Sequence, residues 1–402
     1  MKKIFLLFSI LLLVVGCSNS SSFINNETKD ILFKITEEEW VNNTLDSLTL
    51  EEKIGQMMIV FYTSSSVDNT LQSALTDIKP GGFILFKENI TTYEKTLNFI
   101  KEVKKTADIP MFISIDQEGG NVQRLLSLKD LSVSNIPYMN YVGNSNDVSV
   151  AYDVGKVIAE ELRVFGINMD FAPVIDVYSN LENTVIGKRS FGNDSTLVSK
   201  MGIHLAKGLL ENGVIPVYKH FPGHGNTSVD SHYVLPIVDK TKDELYSLDL
   251  IPFIEAINNG AEVIMIGHLA VPSITGNNVP ASLSKELVTG LLKEELGYNG
   301  LVVTDALNMG ALTKYYSQEE VYVKAIEAGV DILLMPSSSR KALSAIKNAI
   351  SEGVISVERI DESVRKILRL KYKYINNDYD TYLGKEYLNS VEHQNILNGI
   401  IK

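Results

Sequence analysis

Val214-Ile215-Pro216-Val217-Tyr218 is a short apolar run that passes directly into Lys219-His220-Phe221-Pro222-Gly223-His224-Gly225-Asn226-Thr227-Ser228-Val229-Asp230-Ser231-His232. The run reads as a strand buried on both faces. Pro222, Gly223 and Gly225 forbid a helix or a straight strand beyond it. The strand is therefore expected to end at Lys219 and His220 and to release a rigid, turning, polar loop. His220, His224 and His232 are three of the six histidines in the chain. Titratable loops that follow buried strands directly are where parallel-sheet enzymes place their chemistry.

The same pattern recurs along the chain. Apolar runs of strand length lie at Ile54 to Phe61, Gly82 to Phe86, Met111 to Ile115, Ile167 to Phe171, Val214 to Tyr218, Val263 to Ile266, Leu301 to Thr304 and Asp331 to Met335. Helical patterns separate them. Val150, Val154, Val157, Ile158, Leu162 and Phe165 share one 3.6-period face, as do Ile360, Val364, Ile367 and Leu368. Glu37 to Leu45 reads as a helix with Trp40 as a core or docking residue, and Leu197 to Leu210 as a helix carrying His204. Eight strands alternating with helices predict an α/β fold, a single (β/α)8 TIM-type barrel, with a doubly wound open sheet as the alternative. No Gly-x-Gly-x-x-Gly or Walker loop is present, so nucleotide binding has no support.

Composition sets the outer limits. The chain has 402 residues, 45% hydrophobic and 21% charged, which is ordinary globular material. Met1-Lys2-Lys3 followed by the apolar run Ile4 to Val15 reads as a signal peptide, too short to span a bilayer comfortably. Val14-Val15-Gly16-Cys17 resembles a bacterial lipobox, which implies cleavage after residue 16, lipidation of Cys17 and an extracytoplasmic, membrane-anchored protein. Cys17 is the only cysteine, so the chain has no thiol for nucleophilic catalysis and no disulfide. The formal charge is −12. Removing Lys2 and Lys3 leaves 35 basic against 49 acidic residues, or −14, which disfavours nucleic acid and a basic membrane-binding face. The expected organisation is a signal peptide over 1–16, a lipidated tether over 17–36, a catalytic domain over 37–375 and a short tail over 376–402.

In a barrel the catalytic groups sit at the carboxyl ends of the strands. Those positions hold Asp116-Gln117-Glu118-Gly119-Gly120 with Arg124 beyond, then Asp176 with Lys188-Arg189-Ser190-Phe191-Gly192, then Lys219 and His220, His268 and Asp305. Carboxylates, cations and histidines without a thiol suit hydrolysis of a polar ligand. A retaining glycosidase needs a carboxylate nucleophile and a proton donor on opposite sides of the anomeric carbon. Asp305 closes an apolar strand and is followed by the small Ala306, so it is the candidate nucleophile. No second carboxylate stands out, but Asp230 and His232 do. In an extended segment their side chains point the same way, letting Asp230 orient and charge the imidazole that exchanges the proton. His220 and His224 have a spacing that aligns two ligands only on a helix, which Pro222-Gly223 removes, so no metal and no cofactor is expected. His268 reads as a pocket-wall or core residue.

Lys219-His220-Phe221-Pro222-Gly223-His224-Gly225 with Asp230-Ser231-His232 resembles the signature of the β-N-acetylhexosaminidases of glycoside hydrolase family 3. Ile115-Asp116-Gln117-Glu118-Gly119-Gly120, Val122-Gln123-Arg124, Phe171-Ala172-Pro173-Val174-Ile175-Asp176, Arg189-Ser190-Phe191-Gly192 and Thr304-Asp305-Ala306-Leu307-Asn308-Met309 support it. The likeness covers residues 38 to 375. It implies a retaining exo-enzyme that releases terminal N-acetylglucosamine from muropeptides or related amino-sugar glycosides, acting as a monomer. In that likeness Asp305 is the nucleophile, and His232 with Asp230 is the acid/base dyad. Asp116 holds sugar hydroxyls, Arg124, Arg189, Lys219 and His220 bind substrate, and Met309 forms a wall. Asn121, Leu181 and Thr184 depart from residues common in the family. A broader β-glycosidase, a glycoside phosphorylase and a non-catalytic wall-binding lipoprotein are the alternatives, and the last leaves the nucleophile and dyad unexplained.

Overall fold

The computed structural model describes residues 36–400 apart from 228, 229 and 232, so Cys17 and its surroundings and His232 lie outside the described residues. Parallel strands alternate with helices. The strands are β1 (Met58–Val60), β2 (Gly82–Leu85), β3 (Phe112–Ile115), β4 (Gln117–Gly119), β5 (Val122–Gln123), β6 (Met169–Asp170), β7 (Ile215–Pro216), β8 (Tyr218–Phe221), β9 (Val263–Ile266), β10 (Leu301–Thr304) and β11 (Leu333–Leu334). Six of them form a curled parallel sheet in the order β11-β1-β2-β3-β6-β7, and β10-β9-β8 form a second. Single parallel bridges join Val174 to Lys219 and Val303 to Ile332. The residues of β1, β2, β3, β9 and β10 are all buried, as an apolar strand covered on both faces requires.

All eight apolar runs contain a strand, but two differ from expectation. Ile54 is helical, within Leu50–Gln56, and the first strand is only Met58–Val60. Thr49 and Glu52 form a reciprocal capping box at the start of that helix, satisfying two donors that a strand would leave to its neighbours. The fifth strand does not stop at Lys219. After a break at Val217 it resumes as β8, so Lys219 and His220 lie inside a strand that runs to Phe221. The short antiparallel pair β4–β5 was not expected at all. It lies on the Asp116–Gly120 motif, whose glycines suggest a turn.

The helices fall where their periodicity places them. Val148–Val164 and Ser195–Glu211 carry the first two apolar faces, and Val357–Tyr374 the last. Trp40 is half-buried on Glu37–Ser47 and packs on Tyr372 with ring centres 5.5 Å apart. The segment after Tyr374 is not loose. Lys104 donates to the Tyr379 carbonyl at 2.5 Å and lies 4.6 Å and 4.7 Å from the ring centres of Tyr379 and Tyr382. Arg163 pairs with Asp378 at 2.8 Å. His393, on Val391–Asn398, is buried between Glu160 at 2.8 Å and Glu161 at 3.4 Å. No helix among the described residues is long and apolar enough to cross a membrane.

At the opposite end of the sheet from the expected site, Lys371 reaches in from the last long helix. It is fully buried, donates to Gln56 Oε1 at 2.7 Å and lies 5.1 Å from the Phe112 ring centre. Burial drives its ammonium down from 10.5 to about 7. Between those values the unfolded chain binds a proton that the folded chain lacks, so stability rises with pH across that window and the full penalty applies below pH 7. Lys371→Met should therefore stabilise the protein more at about pH 6 than at about pH 10, by up to a few kcal/mol. Urea unfolding at the two pH values checks this. Parallel shifts of wild type and variant would show that Lys371 does not titrate in the window.

Candidate active site

The strand ends converge on one cleft of about 420 Å³, a volume typical of small-ligand sites. Asp116, Arg124, Arg189, Lys219, His220, Asp305 and Met309 all line it, as do Glu118, His224 and Ser231. The structure thus brings together every expected substrate-binding residue and the expected nucleophile.

One side of the cleft is an ion cluster. Lys219 Nζ lies 2.9 Å from Asp116 Oδ1 and 2.5 Å from Glu118 Oε1. Arg189 grips Glu118 with two parallel hydrogen bonds of 2.8 Å, from Nε and Nη2, and its Nη1 donates to the Val185 carbonyl at 3.0 Å. Arg124 reaches Asp116 at 3.5 Å and stacks 5.1 Å from the Phe86 ring centre. Burial acts to raise the Glu118 carboxyl, but Arg189 and Lys219 together outweigh it and hold the group well below the usual range. Lys219 is raised in turn, because Asp116 and Glu118 overcome its desolvation. All three members of the Arg189–Glu118–Lys219 triad are therefore charged at neutral pH. Glu118 lines the cleft although it is not among the residues expected there from the sequence. Its place just before Gly119-Gly120, three residues past an apolar run, was the available signal.

Next to this cluster Asp176 gathers the histidine loop. Its Oδ2 accepts from His220 Nδ1 at 2.7 Å and its Oδ1 from the His224 main-chain N–H at 2.7 Å. Burial would raise Asp176, but His220 and the other donors keep it lowered and ionised. Its bonds to both residues set the two imidazoles edge to face, 5.8 Å apart, without any helix. Among the described residues no cluster of three or more His, Cys, Asp or Glu side chains has the geometry to hold a metal. Burial lowers His224, so its ring is neutral, with Nδ1 bonded to Thr227 Oγ1 at 2.8 Å and Nε2 to Ser231 Oγ at 3.2 Å. The loop needs glycine twice. A Cβ on Gly225 would sit 1.8 Å from the Val177 carbonyl oxygen, and Gly223, at φ +126°, packs against Asp249.

Ser231 carries the loop across the cleft, where its carbonyl accepts from the Ala311 N–H at 3.1 Å. The Asp230 carbonyl accepts from the N–H groups of Tyr233 and Val234, both at 3.0 Å. The chain turns tightly here, which corrects the extended conformation expected around Asp230. A turn is favoured because both N–H groups find a local acceptor and no neighbouring strand offers one. Lys240 pairs with the buried Asp249 and ties down the far end of the loop.

Asp305 follows β10. Its N–H donates to the Ile266 carbonyl at 2.9 Å and its Oδ1 accepts from the Ala306 N–H at 2.7 Å. Burial acts to raise its carboxyl, but His268, His220 and the Ala306 N–H prevail, and the group stays lowered and anionic. His268 is fully buried outside the cleft, bonded to Ser282 Oγ at 2.8 Å and to the Ala306 carbonyl at 3.0 Å. It braces the segment behind Asp305, as a core histidine would. His204 turns back to the Lys200 carbonyl at 2.8 Å on its own helix.

Residues 49–370 match the model of the glycosyl hydrolase family 3 N-terminal domain. Beta-hexosaminidase A of Pseudoalteromonas piscicida is 30% identical over 390 residues, covering 87% of this chain and 65% of that protein, so the chain spans less than two thirds of that relative. The solved family 3 β-N-acetylglucosaminidase of Paenibacillus sp. superposes with a TM-score of 0.80 at 36% identity, over 87% of this chain and 68% of that one. The β-glucoside phosphorylase BglX superposes with a TM-score of 0.82 at 27% identity, over 90% and 66%.

Replacing Glu118 by Gln leaves Arg189 and Lys219 buried beside a neutral partner. Loss of one partner from a buried ion cluster costs about 3–5 kcal/mol. Glu118→Gln should therefore lower the melting temperature and weaken binding of the sugar product about tenfold or more. Melting curves and product titration check this, and an unchanged product affinity would make the cluster purely structural.

Proposed function

The chain belongs to glycosyl hydrolase family 3, and from that premise we propose that it is a retaining exo-β-N-acetylglucosaminidase acting on peptidoglycan fragments or related amino-sugar glycosides. The observation that carries this reading is Asp305, an anionic carboxylate at a cleft whose other side is the Asp116–Lys219–Glu118–Arg189 cluster. A glycosyl-enzyme intermediate needs an ionised nucleophile, and the surroundings of Asp305 keep it ionised. The charged cluster offers both acceptors and donors to ring hydroxyls, which suits a polar sugar and not an apolar ligand.

In this mechanism the Asp305 carboxylate attacks the anomeric carbon as the bond to the leaving oxygen breaks. His232, oriented by Asp230, gives that oxygen its proton. A water that loses its proton to His232 then attacks the same carbon from the vacated face, releasing the sugar with its configuration retained and freeing Asp305. Asp116, Arg124, Arg189, Lys219 and His220 hold the sugar, and Met309 walls it. The hydrogen bonds of Ser231 to His224 and Ala311 support this assignment, because they fasten the residue between the dyad members at the rim of the cleft.

The reading takes the curled sheet as a closed (β/α)8 barrel over 37–375 with a docked tail over 376–402. The bridges Val303–Ile332 and Val174–Lys219 favour closure, since they lie at the two seams between the sheets. A signal peptide over 1–16 and a lipid on Cys17 place the enzyme outside the cytoplasm on a bacterial membrane. A phosphorylase is the second reading, favoured by the likeness to BglX. An imidazole in place of a carboxylic acid/base reduces repulsion towards an incoming phosphate. Sugar 1-phosphate formed when inorganic phosphate is present would establish that reading.

Two outcomes follow. Asp305→Ala should lower p-nitrophenol release from the β-N-acetylglucosaminide by about a thousandfold or more, with folding intact by circular dichroism. Near-normal turnover in that variant would remove Asp305 as nucleophile. Proton NMR of the wild-type reaction should show the β-anomer of the free sugar first, whereas initial α-anomer means inversion.

A further inference from the structure

Asp170 lies beneath the charged side of the cleft and outside it, the last residue of β6 and wholly buried. Two of its bonds reach the segments that carry the cluster. Its Oδ1 accepts from the Gln117 N–H at 2.9 Å, between Asp116 and Glu118. Its main-chain carbonyl accepts from the Val217 N–H at 3.0 Å, two residues before Lys219. Gln117 is fixed from its other end as well, since its Oε1 accepts from the Leu125 N–H at 3.2 Å, beside Arg124. We propose that Asp170 is a positioning residue of the sugar-binding site, holding the Asp116–Glu118 segment in register with Lys219 from below, and that it does so as the neutral acid.

The neutral form follows from what surrounds the side chain. Its Oδ2 is buried with no hydrogen-bond partner among the described residues, a poor place for a full negative charge. Asp116 and Glu118 repel an ionised Asp170, and Lys219, which attracts it, is already shared between those two carboxylates. Burial, the largest influence, raises the carboxyl to about 8 against the pull of the Gln117 N–H and Lys219. The neutral acid keeps the bond to Gln117 without adding a third anion under Lys219. An ionised Asp170 would compete for Lys219 and draw it away from the oxygens that set the sugar. This inference rests on the cleft being the sugar-binding site of a glycosidase.

Calorimetric titration with N-acetylglucosamine, the proposed product, tests it at about pH 6.5 and about pH 9.5 on the wild type, Asp170→Asn and Asp170→Ala. The amide keeps an acceptor for Gln117 and cannot ionise. The wild type should lose affinity about fivefold or more over this range, and Asp170→Asn less than about twofold. Asp170→Ala should bind about tenfold more weakly at both values, and the amide should recover most of that loss. Groups that titrate in all three proteins, the histidines included, cancel from the comparison. A wild type and Asp170→Asn with the same pH dependence would overturn the neutral-acid role. Alanine and asparagine variants that bind alike would overturn the positioning role. A wild type that bound glucose and not N-acetylglucosamine would remove the proposed substrate, while the same titrations with glucose would still decide Asp170.

Discussion

The contact on which the site depends is Lys219 Nζ between Asp116 and Glu118. Three charges meet in the wall of the cleft, where a single unpaired ion would be costly, and each is held by partners from another part of the chain. Glu118 is fixed by Arg189, whose loop comes from the far side of β6. Asp116 is fixed by Arg124, which leans on Phe86 at the end of β2. The strand ends are thereby cross-linked electrostatically, and the charged wall of the cleft is set before any ligand arrives.

Around that cluster the protein uses neutral and ionised groups for separate tasks. Asp176 is ionised and serves as an anchor, receiving the main-chain N–H groups of His220 and His224 and the His220 ring nitrogen. His224 is neutral and links Thr227 to Ser231, which extends the anchor to the cleft rim. Asp305 stays anionic, with the Ala306 N–H on its Oδ1 and its carboxylate facing the cleft. Each assignment follows from who the neighbours are, since all three groups are buried or partly buried and desolvation alone would push the two carboxyls up.

Much of this was legible in the chain, and the reasons are specific. Strands covered on both faces show as mostly apolar runs, so the eight positions could be read directly. Asp116, Lys219, His220 and Asp305 sit one or two places past those runs, where polar residues have no packing reason to be. The start of β1 misled because Ile54 to Phe61 is apolar apart from Gly55 and Gln56, and the Thr49–Glu52 spacing marks its first part as helix. The Asp230 turn was hidden because alternation cannot distinguish a strand from a loop that satisfies its own donors. Asp170 and Asn168 carried a signal that was missed: two polar residues inside Ile167 to Phe171. Asn168 spends both ends of its amide on the Ile113 N–H and the Met111 carbonyl, and Asp170 reaches Gln117. A polar residue within a doubly covered strand has to bond to the neighbouring strand or to the site.

The docked tail has a consequence for how the chain is made. Lys104, Arg163 and the pair Glu160–Glu161 are set into the flank of the domain by the middle of the sequence, but their partners Tyr379, Tyr382, Asp378 and His393 come near its end. Synthesis runs from the amino terminus, so these charges lack their tail partners while the ribosome is still working through the last long helix. The flank therefore closes only once residues 378–393 have emerged, and until then the growing domain carries a charged seam without its tail contacts.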